Sequence, residues 1–566
     1  MKHVLLLVTA LTGIALLASP ASARSLEDIS AAHYRAEWKA DPVNATLQGV
    51  HDEDGQLGDV SDRALMKQDR RLRTEQDALR QLDLSGASSR EQDDRDILLA
   101  QIGGELLEDE KIRPYHHDPD RYVSQVTNAL YGLVVHDYAP APDRMRAAIS
   151  RLRQMPGFLA QASGRLKDVP PIFVEIALED LDGAIGFIGK DVPSAFASVP
   201  DPALQKQMTS TAEAAVSALK HYADWLHGLR ADGSFVLGRD TLRGLLAADM
   251  IDTPPEEIIA VGERQLERDR QDFLTVSRQI DPHNPGQALE EIRHDHPTSD
   301  QLIPTAQGQL HDLQAFIITH DILTLPLLTL PQVIRTPAFE QSLISAATEW
   351  PGPFEKQPLP SFYEITPPSP SFTPRQTEEA LEDFNRPELL NITIHEAMPG
   401  HFVQGLYLQS SPDWSLIRRG ASSYTTTEGW AHYTEQMMVE AGYDNASPAL
   451  HLMQLQDALL RDCRLLAAFG MHMQGMTLQQ ATDMMEKRCF QSSVAAYKEA
   501  RRGTSDPAYF SYTLGKLMIL HLRSDMQARQ GKSFSLKAFH DSILQAGLVP
   551  MRAIRRELTG QNGNLL

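Results

Sequence analysis

The sequence predicts an all-α, mainly helical protein, and three observations predict it. Apolar residues recur at helical spacing through long polar stretches, strong helix-start and helix-stop signals recur along the chain, and alternating strand patterns are few. No repeat period of 20–50 residues points to a solenoid or propeller. In chain order, the first clear helix is Ser61–Leu82, where Leu65, Leu72 and Leu79 stand amid Arg, Asp and Gln. Thr253-Pro254-Pro255-Glu256-Glu257 opens the next: a capping threonine, prolines where a missing N–H costs nothing, then acids beside the positive end of the helix dipole. Ile258, Ile259, Val261 and Leu266 follow at helical spacing. Ser447-Pro448 opens a run to Met471 in the same way. Leu478–Arg502, Tyr509–Ala528 and Leu536–Ala546 complete the set, with Gly547 placed to stop the last helix and Pro550 just beyond it.

One segment resists a helix. Eight prolines lie between Pro351 and Pro374, and each removes a backbone donor. Loop, polyproline or edge strand is expected there. The segment is either an interdomain linker or a wall of an active-site cleft, because it directly precedes the most informative motif.

Composition narrows the function. The 566 residues carry 53 Lys+Arg against 75 Asp+Glu, a formal charge of −22, so the chain repels phosphate backbones and no nucleic-acid partner is expected. With 42% apolar and 23% charged residues, global disorder is excluded. The two cysteines, Cys463 and Cys489, exclude a disulfide framework and a Cys-rich zinc cluster, and whether they pair stays open. Lys2 and His3 precede an apolar run, Val4–Leu17, and Ala21-Ser22-Ala23 offers a small-x-small cleavage site. Residues 1–23 are therefore expected to be a signal peptide, with 24–566 as the mature, periplasmic or secreted chain. No cysteine follows the apolar run to take a lipid, and no later apolar stretch reaches the ~18 residues of a spanning helix, so no membrane contact is expected after cleavage.

The chemistry is carried by Ile394-His395-Glu396-Ala397-Met398-Pro399-Gly400-His401. Zinc hydrolases place two imidazoles and a general base on one helix, usually as H-E-x-x-H. Imidazole suits zinc, and a Glu beside the first ligand can take a proton from water. Here the second His stands at i+6, about 240° around a regular helix and on the wrong face. Either the pair is accidental, or Pro399-Gly400 deforms the helix and bulges two residues out so that His401 returns to His395. A second motif follows, Glu428-Gly429-Trp430-Ala431-His432-Tyr433-Thr434-Glu435. On a helix Glu428, His432 and Glu435 share a face, and a carboxylate on a following helix is the usual third ligand of a His₂Glu site. Thr425–Glu428 also matches a capping box, in which Glu428 merely caps its helix. His432 or Glu435 would then orient a ligand His.

These motifs, with Ser511-Tyr512-Thr513-Leu514-Gly515-Lys516 and Phe539-His540-Asp541, resemble the signatures of the domain-of-unknown-function 885 family. The resemblance runs from about residue 30 to the C-terminus and is densest from Phe362 to Pro550. That family is similar to gluzincin-type zinc peptidases of the angiotensin-converting-enzyme-like architecture. The likeness implies one domain over 24–566: an N-terminal helical part (24–350), the Pro-rich cleft segment (351–374) and a metal-site part (375–566). It also implies two lobes around a central cleft with a short β element. Zinc would sit on His395, His401 and Glu428, with Glu396 as general base. The chain departs from the family in having Phe402 where a second His is frequent, and His432 where Leu is frequent.

Softer roles complete the expectation. Tyr512 is the candidate donor to the oxyanion. Arg464 and Arg523 are candidates to pair with a substrate carboxylate, and His472 and His432 to contact substrate. The function expected is an exported zinc hydrolase acting on oligopeptides or peptide-like amides. The alternatives are a non-catalytic peptide-binding scaffold and a zinc hydrolase of esters or non-peptide amides.

Overall fold

The computed structural model describes residues 25–337, 341 and 344–566; the signal segment 1–23 lies outside the described residues. The protein is all-α with one small sheet. The helices used below are α1 (Leu26–Ala40), α2 (Asp62–Gln81), α3 (Ser89–Leu107) and α4 (Pro255–Ile280). After them come β1 (Gln332–Arg335), β2 (Ala346–Glu349) and β3 (Phe362–Ile365). The C-terminal part adds α5 (Arg386–Glu396), α6 (His401–Ser410), α7 (Tyr424–Glu440), α8 (Pro448–Met473) and α9 (Ser511–Gln530).

Most starts follow the local chemistry. Ser61 caps α2 through Ala64 N–H, and Ser447 caps α8 through Leu450 N–H. At α4 the cap is Pro254 and the helix begins at Pro255, so Thr253 stands one residue too early to cap it. The expected helix Leu478–Arg502 is two helices, Leu478–Cys489 and Ser493–Ser505, broken at Phe490, whose φ is +54°. The break is held from outside: Gln456 of α8 donates to the carbonyls of Cys489 and Phe490 at 3.2 and 3.4 Å.

Apolar side chains gather in two cores. One is built from helices Asp120–Val134, Ala141–Ala160, Pro171–Gly186 and Pro202–His227. The larger one takes in α1–α9 and the sheet. In it Cys463 of α8 and Cys489 form a buried disulfide. The sheet has strand order β1-β3-β2, β3 parallel to β1 and antiparallel to β2. The Pro-rich segment thus supplies the central strand rather than an edge; Phe362–Ile365 contains no proline, so every ladder donor survives. The strand lies on the motif helix, with the Tyr363 hydroxyl 3.2 Å from Thr393 Oγ1 of α5.

Candidate metal centre

Asn385 caps α5 by accepting from Glu388 N–H, and the helix runs to Glu396. It then stops: the N–H groups of Ala397 and Met398 both donate to Thr393 O, at 2.9 and 3.1 Å, the Met398–Pro399 peptide is cis, and Gly400 N–H donates to Ile394 O at 3.0 Å. A new helix, α6, begins at His401. The helix is therefore not bulged, as the i+6 spacing suggested, but broken and restarted. The restart folds back so tightly that a Cβ on Gly400 would lie 1.7 Å from the carbonyl oxygen of His395, which only glycine avoids. Trp430 Nε1 donates to Pro399 O at 2.9 Å and ties the turn to α7. The two imidazoles end side by side, ring centroids 4.9 Å apart at 86°.

The third group comes from α7. Ser423 caps this helix by accepting from Thr426 N–H, so Glu428 sits in its second turn and does not serve as a cap. Gly429 and Gly515 let α7 and α9 meet backbone to backbone: a Cβ on Gly515 would lie 2.0 Å from Thr425 O. That approach brings Glu428 of α7 and Tyr512 of α9 to the same place.

Glu428 Oε2 lies 3.6 Å from His395 Nε2 and 3.4 Å from His401 Nε2. The outer ring nitrogens are engaged elsewhere: His395 Nδ1 with Glu435 Oε1 at 2.6 Å, His401 Nδ1 with Gln404 Oε1 at 3.1 Å. Both partners are acceptors, so each Nδ1 carries a proton and each Nε2 is turned inward, where a bound metal ion takes the place of the second proton and meets a ring lone pair. Glu435, fully buried, is itself held by Arg461 Nη2 and His432 Nδ1, each at 3.3 Å. Three lone-pair atoms thus face one point, and Glu428 Oε2 has no hydrogen-bond partner although buried. Ligands on a tetrahedral ion at about 2.0–2.1 Å stand about 3.3 Å from one another. The 3.4 and 3.6 Å separations fit that spacing. The field is set for a cation: burial works against charge on His395, yet Glu428 and Glu435 raise its pKa to about 9. Burial likewise works against charge on Glu428, yet the two imidazoles hold its carboxyl well below the usual range.

Glu396 ends α5 beside His395; its side chain is half-buried, and Thr348 of β2 donates to its carbonyl. The Tyr512 ring stacks on His395 with centroids 6.4 Å apart, and its hydroxyl accepts from Arg502 Nη2 at 3.4 Å. Burial, then the Glu428 charge, raises the Tyr512 pKa, so the phenol keeps its proton.

The structure does not bring the substrate-contact candidates to the same point. Arg464 lies over the Tyr512 ring at 5.0 Å, but its guanidinium forks onto Glu499 at 2.7 and 2.9 Å. Arg523 stands eleven residues beyond Tyr512 on α9, about 16 Å along the helix, and pairs with Glu440 at 2.8 Å. His472 is fully buried, with Nε2 on Gly503 O at 2.8 Å, so it is a packing residue. His432 is also fully buried and braces Glu435; burial and the Lys516 charge push its pKa down to about 3. Neither histidine can touch a substrate. Gln404, Arg461 and Arg502 were not foreseen. Only Gln404 had a signal, standing three residues after His401 on the same helix. A cavity of about 840 Å³ between α4, α7, α8 and α9 is lined by Gln265, Asp269, Gln454 and Lys516, and none of the three converging side chains lines it.

A family model described as bacterial protein of unknown function, DUF885, matches residues 42–558. No curated protein matches the chain. A protein of unknown function from Shewanella oneidensis, provisionally described as a lipoprotein, has a solved structure similar to this one: TM-score 0.79, 25% identity, 94% of this chain and 100% of that chain covered. Another from Colwellia psychrerythraea, described likewise, has a TM-score of 0.78 at 19% identity over 94% of this chain and 98% of that one, a likeness of fold.

Proposed function

The chain belongs to the DUF885 family, and from that premise we propose that it is an exported zinc-dependent hydrolase of peptide or peptide-like amide bonds in small substrates. The observation that carries this is the convergence of His395 Nε2, His401 Nε2 and Glu428 Oε2, with the oxygen 3.6 and 3.4 Å from the two nitrogens and without a hydrogen-bond partner. This donor set, two imidazoles and a carboxylate, is that of hydrolytic zinc sites and of gluzincin-type peptidases in particular. Zinc held there supplies a Lewis acid and lowers the pKa of a water molecule. Glu396, adjacent to His395, takes a proton from the attacking water and returns it to the leaving amine. Tyr512, protonated and braced by Arg502, donates toward the carbonyl oxygen as charge develops on it. Glu435 and Gln404 keep both imidazoles in the Nδ1–H form.

Export is supported by the N-terminal signal pattern, by the buried Cys463–Cys489 disulfide, and by neighbours described as lipoproteins. No helix among the described residues is long and apolar enough to cross a membrane. The test is metal analysis of protein purified without added zinc, followed by peptide-library cleavage with wild type and Glu396→Gln. One zinc at this centre and cleavage lost in Glu396→Gln support the reading. Absence of zinc, with His395→Ala harmless to every activity found, favours a peptide-binding scaffold. Zinc without peptide cleavage moves the substrate to esters or other amides.

A further inference from the structure

We propose that the N-terminal helices carry a second divalent-cation site, formed by His33 and Glu37 of α1 with Glu105 of α3. His33 and Glu37 stand at i and i+4 and so share one face of α1. One ligand atom from each of His33, Glu37 and Glu105 lies within 4.8 Å of the others. The site is remote in sequence from the first and does not depend on it.

The imidazole is prepared as a ligand. His33 is 2% exposed, and its Nδ1 lies 2.9 Å from Glu75 Oε2 of α2. Glu75 accepts, so Nδ1 carries the proton and Nε2 presents its lone pair to the cluster. The Glu105 Oε1 that faces Nε2 is 3.8 Å away, beyond hydrogen-bond reach. Glu105 Oε2 is buried without a partner. A cation held among the three side chains gives that Glu105 oxygen the partner it lacks.

Charge points the same way. Glu37 and Glu75 share the cation Arg71, which donates to both oxygens of Glu75 at 3.0 and 2.8 Å and to Glu37 Oε1. Among the described residues no guanidinium pairs with Glu105. A ring nitrogen beside carboxylate oxygens selects zinc or manganese over calcium and magnesium, which take oxygen alone. Such an ion would clamp α1 to α3 directly, and to α2 through Glu75.

The experiment strips the full-length mature chain with a chelator, reloads it with zinc, removes excess metal by dialysis and counts bound zinc. Four proteins are compared: wild type, His33→Ala, Glu105→Gln and His401→Ala. The site predicts that His33→Ala and Glu105→Gln each lose one equivalent relative to wild type. His401→Ala keeps the equivalent bound at His33, whatever becomes of the other centre. Failure of the first centre appears as no loss in His401→Ala, failure of the second as no loss in His33→Ala and Glu105→Gln. Glu105→Gln keeps the shape of the side chain, so it decides the matter if His33→Ala does not fold. Wild-type zinc content in a folded Glu105→Gln protein overturns the proposal.

Discussion

At the level of single residues, the centre is defined by the atoms that face it and by the side chains that hold them there. His395, His401, Glu396 and Glu428 were legible in the sequence because their chemistry is compressed into two short strings. Arg461 and Arg502 were not, since they arrive on other helices through tertiary packing and no local pattern announces them. The capping alternative for Glu428 falls for a physical reason: Ser423 is the better-placed cap, and the helix starts two residues earlier than a Thr425 cap would have it. Two outcomes follow. Glu396→Gln removes the proton acceptor but no proposed ligand, so steady-state kinetics should show kcat/KM down by roughly 10²–10⁴ with zinc content unchanged. Glu435→Ala removes the carboxylate that orients His395, so competition against a chelator should show zinc affinity at the His395 centre about 10–100-fold weaker while that centre still fills at saturation.

At the scale of elements, the unusual spacing is explained by a helix that ends and begins again. Proline and glycine signalled a deformation in the sequence, but only packing shows that α5 stops at Glu396 and α6 starts at His401. Gly400 is required by sterics rather than by φ, because its Cβ position is already filled by the His395 carbonyl. Gly400→Ala should therefore force the turn open and separate the rings; metal analysis should find the His395 centre without zinc, and retained zinc there would refute this account of the turn. The opposite lesson comes from Phe490. Neither Gly nor Pro marks that break, and a left-handed phenylalanine is tolerated because Gln456 satisfies the helix-end carbonyls from a neighbouring helix. Start signals such as Ser447-Pro448 were readable because their partners are adjacent in sequence.

At the scale of the whole molecule, the helical class was legible from periodicity, whereas the division into two cores and the sheet at the site depend on contacts that no local pattern encodes. The Pro-rich segment is one case: β3 lies in the middle of the sheet and on α5, while Glu355 of the same segment reaches back to His51 Nε2 at 3.0 Å. His51 Nδ1 also contacts Asp54 at 3.2 Å. Burial opposes the imidazolium, but the two carboxylates outweigh it and raise the His51 pKa from 6.5 to about 9. The folded protein thus binds this proton more tightly than the unfolded chain. The stabilisation is complete below pH 6.5 and is lost as pH rises through 9. Thermal melts of wild type and His51→Gln should therefore differ below pH 6.5 and converge above 9; a constant difference would remove His51 as the link between the N-terminal part and this segment.

The central claim is that one zinc ion joins α5, α6 and α7. Crystals of protein purified without added metal, measured on both sides of the zinc absorption edge, test it directly. The account predicts an anomalous peak about 2.0–2.2 Å from His395 Nε2, His401 Nε2 and a Glu428 carboxylate oxygen. An empty position there after zinc soaking, with Glu428 bound only to protonated imidazoles, would contradict it.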